Sequence, residues 1–255
     1  MTTNLADALR LLLVTDDALL QGRDPLAVAL AAVAGGVTAV QLRLKTIPDR
    51  DLLALARTMV ARLPVPLFIN DRLDIALIVG AAGVHLGPDD IAPAMARRIA
   101  PAGFVIGASV GSEAEIARGA AADYWGIGPL HPTRTKDDAG SALGPEGIAA
   151  LIAKAAGRPC VAIGGIEPAD VGAMRAIGCA GVAVVSGILR GGDVEEAARG
   201  FRAPFTFPLS PFPFHLSPLP PPHPPDVVDM LPVALREDVP AIAAGDEVEV
   251  RHIGG

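Results

Sequence analysis

The sequence predicts an α/β protein of the (β/α)8 barrel class, the TIM barrel, with a proline-rich C-terminal extension. Three observations predict it. Short β-branched or aliphatic runs alternate with longer alanine-rich segments from residue 11 onward; eight such units fit into about 200 residues; and the strand runs are continuously apolar, as in parallel strands covered on both faces.

The candidate strands begin at Leu11 (LLLVTD), Ala39 (AVQLR), Leu67 (LFIN), Gly83 (GVHLG), Val105 (VIGAS), Tyr124 (YWGIG), Cys160 (CVAIGG) and Gly181 (GVAVVSG). Helices are expected near 25–35, 48–62, 72–80, 91–99, 113–121, 145–156, 168–177 and 194–202. Residues 2–10 read as a short helix closing the bottom of the barrel. A doubly wound open sheet is the competing arrangement, but no G-x-G-x-x-G follows the first strand, and eight evenly spaced units favour closure.

The barrel domain is expected over 1–203. Residues 204–225, PFTFPLSPFPFHLSPLPPPHPP, hold ten prolines in 22 positions, a density that excludes helix and sheet ladders and reads as a linker. Residues 226–255 form an appendage too short to bury its own core. A partner-binding role for the proline-rich stretch, through polyproline II docking, is the lesser reading.

Composition sets the remaining bounds. Hydrophobic residues make up 51% of the chain and charged residues 19%, as expected for a well-packed globular protein. No apolar run reaches the roughly 18 residues a membrane span needs, and MTTNLADALR lacks the basic-then-apolar form of a signal peptide, so a soluble cytoplasmic protein is expected. A net charge of -7 argues against a nucleic-acid surface, so any bound anion must be met by a local pocket. Cys160 and Cys179 lack C-x-x-C spacing and read as buried structural thiols. A homo-oligomer is allowed, but the number of copies is not readable.

In such a barrel the carboxyl ends of the strands face the active site. Strand 2 offers Gln41, Arg43 and Lys45; strand 3, Asn70 and Asp71; strand 4, Asp89 and Asp90; strand 5, Ser109; the strand 6 loop, Thr133, Arg134, Thr135 and Lys136. Strands 7 and 8 end in Gly164-Gly165 and in Ser186-Gly187. Taken singly, an aspartate or serine here is as well explained as a helix cap, and Asp89 is expected to cap a helix starting near Ile91. Together, cations and carboxylates at one mouth suggest a phosphate bridged by Mg²⁺ held on Asp71 and Asp90. The glycine turns after strands 7 and 8 suggest a second, backbone-lined anion site. His85 reads as a strand residue of core or rim, His131 as a shaper of its loop, and Tyr124 and Trp125 as packing.

With these residues set out, residues 10–202 resemble the thiamine-phosphate synthase (thiamine-phosphate pyrophosphorylase) family. VQLRLK resembles its Q-x-R-x-K segment, FINDR its F-I-N-D, GVHLGPDD its G-V-H-L-G-Q-x-D, and GIGPLHPTRTK its P-T-x-T-K loop; VAIGGI and VAVVSGI resemble its last two strand ends. The resemblance implies a Mg²⁺-dependent transferase acting on small phosphorylated substrates. It implies that Gln41, Arg43, Lys45, Asn70, Ser109 and Lys136 bind a pyrimidine diphosphate, with Arg43, Lys45, Ser109 and Lys136 counted as catalytic. Asp71 and Asp90 would be the metal ligands, and Thr133, Arg134, Thr135, Gly165, Val185 and Ser186 would bind a thiazole phosphate.

Two positions depart from the family pattern: Leu44 stands where glutamate is common, and Pro88 where glutamine is frequent. Neither removes a cation or a metal ligand. A related tautomerase barrel is the nearest alternative, but it depends on a histidine just after the strand 5 serine, and here Ser109 is followed by Val110 and Gly111. A non-catalytic phosphate-sensing barrel is the other.

Overall fold

The computed structural model describes residues 4–133 and 141–202 of the 255-residue chain. The predicted linker and appendage, and Arg134, Thr135 and Lys136, lie outside the described residues.

A short helix α1 (Leu5–Ala8) precedes strand β1 (Leu11–Val14), which is followed by the one-turn helix α2 (Asp17–Leu20) and by α3 (Pro25–Ala34). Then come β2 (Ala39–Leu42), α4 (Asp49–Arg62), β3 (Leu67–Asn70), α5 (Leu73–Val79), β4 (Gly83–Leu86), α6 (Pro93–Arg97), β5 (Val105–Ser109) and α7 (Glu113–Gly119). The chain continues through β6 (Tyr124–Ile127), α8 (Gly144–Ile152), β7 (Cys160–Ile163), α9 (Asp170–Ala176), β8 (Gly181–Val184), the one-turn α10 (Ser186–Leu189) and α11 (Val194–Arg202). All eight strands begin where their apolar runs predict.

The strands form one closed parallel barrel in chain order, and β8 returns to pair with β1 through Leu11–Val182, Leu12–Ala183 and Leu13–Val184. Alternation of side chains across each strand divides the apolar residues into two cores. Leu11, Leu13, Val40, Leu42, Ile69, Val84, Ile106 and Val182 face the helices. Leu12, Val14, Ala39, Phe68, Tyr124, Val161 and Ala183 face inward with Leu9, which closes the lower end from the segment after α1. Both faces of every strand are therefore buried, which is why the runs are apolar without alternation.

Local chemistry explains where the helices start. Asp24 accepts from the N–H groups of Leu26 and Ala27 at 3.1 and 3.3 Å and caps α3, whose first residue is Pro25. The helix expected from residue 91 begins later, at Pro93: the residue before a proline is held extended, and Ala92 has φ -64° and ψ 140°, as that restraint requires. Asp89 therefore caps nothing there, contrary to expectation; the N-cap of α6 is Ala92.

Cys160 and Cys179 are both buried, as a structural role requires. Burial, then the nearby Cys179, pushes the Cys160 thiol up to about 12, and burial pushes Cys179 up to about 11, so both are neutral at physiological pH. Among the described residues no helix is long and apolar enough to cross a membrane.

One close approach fills the lower part of the barrel interior. The Tyr124 ring is wholly buried and crosses to β5 at Gly107, where any Cβ would overlap the ring. Gly107→Ala is expected to destabilise the fold by about 2 kcal/mol through overpacking. Urea denaturation would measure it, and an unchanged midpoint would show that the ring does not lie against β5.

Candidate active site

The ends of β2, β3 and β4 bring four charged side chains together. Gln41 is buried at the end of β2, and the chain then turns out through Arg43 and Lys45. Arg43 is fixed by an ion pair with Asp16, 3.0 Å from Nη1 to Oδ2, in which both side chains are largely shielded from solvent. The other Asp16 oxygen accepts from Leu19 N–H at 3.2 Å and so caps α2. Asp17 holds the next stretch, accepting from Lys45 N–H and the Thr46 hydroxyl, each at 2.7 Å. Partial burial pushes the Asp17 carboxyl up, but these donors together pull it below its ordinary value.

Asp71 follows β3 in a left-handed backbone conformation, φ 63°, with its N–H donating to His85 O at 2.9 Å. It caps no helix: the N-cap of α5 is Arg72, which makes no side-chain cap bond. The turn directs the Asp71 carboxyl at that of Asp90, with which it shares a hydrogen bond. Asp90 is held from two sides, since its Oδ2 accepts from Gly87 N–H at 2.6 Å and its carbonyl accepts from the Arg118 guanidinium. Burial first, and then the hydrogen bond and negative charge of Asp90, raise the Asp71 carboxyl to about 6 against the opposing pull of Lys45 and Arg43. Two carboxyl groups this close, with cations beside them, disfavour joint ionisation unless a further positive charge joins them.

A cavity of about 170 Å³ opens beside this cluster and runs down into the barrel. Gln41, Arg43, Asn70, Ser109, Thr133, Gly165, Val185 and Ser186 all line it; Lys45, Asp71 and Asp90 stand outside its lining, at the rim. On the far side, Gly164 and Gly165 have φ of 91° and 69°, and a Cβ on Gly165 would come within 2.8 Å of His131 Cβ. Glycine is needed there both for the turn and for the approach of the β6 loop. The serine-glycine segment after β8 is the first turn of α10, so its leading N–H groups lack intrahelical partners.

The cavity floor is polar in a way the sequence reading missed. His85 Nε2 lies 3.1 Å from Ser109 Oγ and its Nδ1 lies 3.0 Å from the Tyr124 hydroxyl, which also bonds the Gln41 side chain. His85 and Tyr124 thus belong to a hydrogen-bonded chain from β2 to β5, and Tyr124 is more than packing. Burial raises the Tyr124 hydroxyl, with Gln41 opposing, and keeps it neutral. Asp16, Asp17 and Glu115 were also missed; Glu115 lines the cavity and accepts from Gly111 N–H. The strand-end rule applied to VTDD after strand 1 would have found the two aspartates.

His131 does shape its loop, its N–H donating to Gly164 O at 3.0 Å and its Nε2 lying 3.1 Å from Asp170 Oδ2. Trp125 packs in the outer core and donates to Gly119 O at 2.8 Å.

A family model described as thiamine monophosphate synthase matches residues 11–188, almost the whole barrel. The chain belongs to that family. It is 47% identical to the thiamine-phosphate synthase of Methanoculleus marisnigri over 199 residues, covering 75% of this chain and 93% of that protein. It is likewise 47% identical to the thiamine-phosphate synthase of Azorhizobium caulinodans over 196 residues, covering 75% and 92%. Among solved structures, the thiamine phosphate pyrophosphorylase of Pyrococcus furiosus superposes with a TM-score of 0.69 at 35% identity, covering 78% of this chain and 96% of that one. A 3-hexulose-6-phosphate synthase at 19% identity and a TM-score of 0.59 shares the fold alone.

The Asp71–Asp90 pair makes a direct prediction. A folded-state value raised to about 6 means the fold disfavours the carboxylate: the stability tied to this carboxyl is present below about pH 4 and is lost as pH rises through 6. Asparagine tolerates the left-handed backbone. In chelator-treated protein at pH 8, Asp71→Asn is therefore expected to raise the melting temperature by about 2 °C, and the gain should vanish below about pH 4. Equal melting temperatures at pH 8 would show that the two carboxyls do not repel.

Proposed function

We propose that this chain joins 4-amino-2-methyl-5-(diphosphooxymethyl)pyrimidine to a thiazole phosphate, releasing pyrophosphate and giving thiamine phosphate. One observation carries the reading: a single cavity has a cation-and-carboxylate rim on one side and a glycine-and-helix turn on the other. That is the arrangement needed to hold a diphosphate and a monophosphate on either side of one reacting carbon. The tautomerase alternative needs a histidine just after Ser109, where buried Val110 and then Gly111 stand, and the named relatives favour a synthase over a phosphate sensor.

The residues present fit Mg²⁺. Asp71 and Asp90 offer hard oxygens, and Mg²⁺ characteristically takes one or two carboxylates and completes its shell with water and substrate phosphate. When bound, the ion would offset charge on the departing pyrophosphate.

The protein's own part is to bind and orient. Arg43 and Lys45 meet the diphosphate, with Lys136 assigned to the same role from the sequence. The pyrimidine ring lies over the His85–Tyr124–Gln41 chain, whose donors and acceptors match its amino group and ring nitrogens. The Gly165 turn, Val185 and Ser186 take the thiazole phosphate, together with Thr133, Arg134 and Thr135. The bond from the methylene carbon to the diphosphate oxygen breaks with its electron pair leaving on pyrophosphate, and the thiazole nitrogen lone pair forms the new carbon–nitrogen bond. Positioning and electrostatic stabilisation suffice, and no side chain need act as a nucleophile. A cytoplasmic location is part of this reading.

Purified full-length protein with both substrates is expected to release pyrophosphate only when Mg²⁺ is supplied. Asp71→Asn should lower kcat by roughly a hundredfold or more while leaving the fold intact. Turnover unaffected by chelation, or by Asp71→Asn, would overturn the metal assignment. Tyr124→Phe should raise KM for the pyrimidine diphosphate by about tenfold through the lost hydroxyl, with KM for the thiazole phosphate little changed; the opposite split would place the rings the other way round.

A further inference from the structure

Arg23 does not line the cavity, yet it is bonded to the neighbouring helices α2 and α10. It follows α2, and among the described residues its guanidinium donates to main-chain carbonyls. Nε reaches Leu20 O at 3.0 Å and Nη2 reaches Leu19 O at 2.6 Å, both at the carbonyl end of α2. The same Nη2 also donates to Leu189 O, the last residue of α10, and Nη1 approaches Gly191 O at 3.4 Å. One planar cation thus forks between the carbonyl ends of two one-turn helices, where unpaired carbonyls and negative dipole ends favour it.

The other end of α10 faces the cavity, and the other end of α2 holds a residue that lines it. The first residues of α10 are Ser186 and Gly187, which line it. The amino end of α2 is capped by Asp16, whose second oxygen holds Arg43. A one-turn helix has too few internal hydrogen bonds to hold its own orientation, so external partners must fix it. An arginine can supply the fork because it presents several donors in a rigid plane; a lysine ammonium is a single point.

We propose that Arg23 is a positioning residue for the thiazole-phosphate half of the site, fixing α10 against α2, which Asp16 and Asp17 already anchor to the end of β2 without it. The inference rests on the reading that the Gly165 and Ser186 turns take that phosphate.

The test is steady-state kinetics of the full chain with each substrate varied in turn. Arg23→Gln is expected to raise KM for the thiazole phosphate by about tenfold, within the range that small misplacements of a binding group produce, and to change KM for the pyrimidine diphosphate less than threefold. Arg23→Lys should give a smaller rise confined to the same substrate. If the glutamine variant does not fold, the lysine variant decides. Constants equal to wild type in the deciding variant, or equal rises for both substrates, would overturn the proposal. Ser186→Asp separates it from the reading beneath it, because a carboxylate set against the phosphate must raise the thiazole-phosphate KM. If Ser186→Asp has no effect, the phosphate assignment fails and Arg23 loses its role; if only Ser186→Asp has an effect, the Arg23 inference alone falls.

Discussion

Closure of the sheet between β1 and β8 is the constraint on which the rest of this protein depends. A parallel barrel in chain order must send the carboxyl end of every strand to the same rim. Residues far apart in sequence then become neighbours without any local signal between them: Asp16 meets Arg43, Asp71 meets Asp90, and His85 meets both Ser109 and Tyr124. Because each strand is buried on both faces, these polar groups are tolerated only at the strand ends and in the upper interior, where each finds a partner. The barrel therefore gathers charge at one place by excluding it elsewhere.

What it gathers is unbalanced in a useful way. Arg43 and Lys45 pull the Asp71 carboxyl down, but burial and Asp90 push it up further, and the outcome is a carboxyl pair that favours an added cation. The cluster is stiff because its members are anchored from behind. Asp16 shields Arg43, Asp17 holds the Lys45 backbone, and Gly87 and Arg118 hold Asp90. A group held in place before substrate arrives costs little reorganisation when charge develops, which is the condition under which electrostatic stabilisation is effective.

Much of this was legible in the sequence, for physical reasons. A strand buried on both faces leaves an uninterrupted apolar run, and each of the eight runs marks the first residue of its strand. Gln41, Asn70, Ser109, Thr133, Gly165, Val185 and Ser186 could be assigned to one mouth because they end or follow such runs. The helices α2 and α10 were not legible, since four residues are too few for a helical period to appear. Nor was the left-handed turn at Asp71, which allowed the residue to pass for a helix cap when in fact it aims a carboxyl. The polar floor escaped because a histidine and a tyrosine within apolar strands look like packing until the closed barrel brings them together.

The floor also shows how a barrel interior, which in this fold is normally filled by side chains, makes room for a ligand. Tyr124 occupies the space that a side chain at position 107 would need, and above it Gly126 leaves space beside His85. The large residue sits low and the glycine sits high, so the interior is packed at the bottom and open at the top. Phe68, edge-on to Tyr124 with ring centroids 5.7 Å apart, supports that ring from β3. The hydroxyl is thereby held at a fixed height, where it bonds His85 and Gln41. Depth and polarity of the cavity follow from one packing decision, the placement of a tyrosine opposite a glycine on the neighbouring strand.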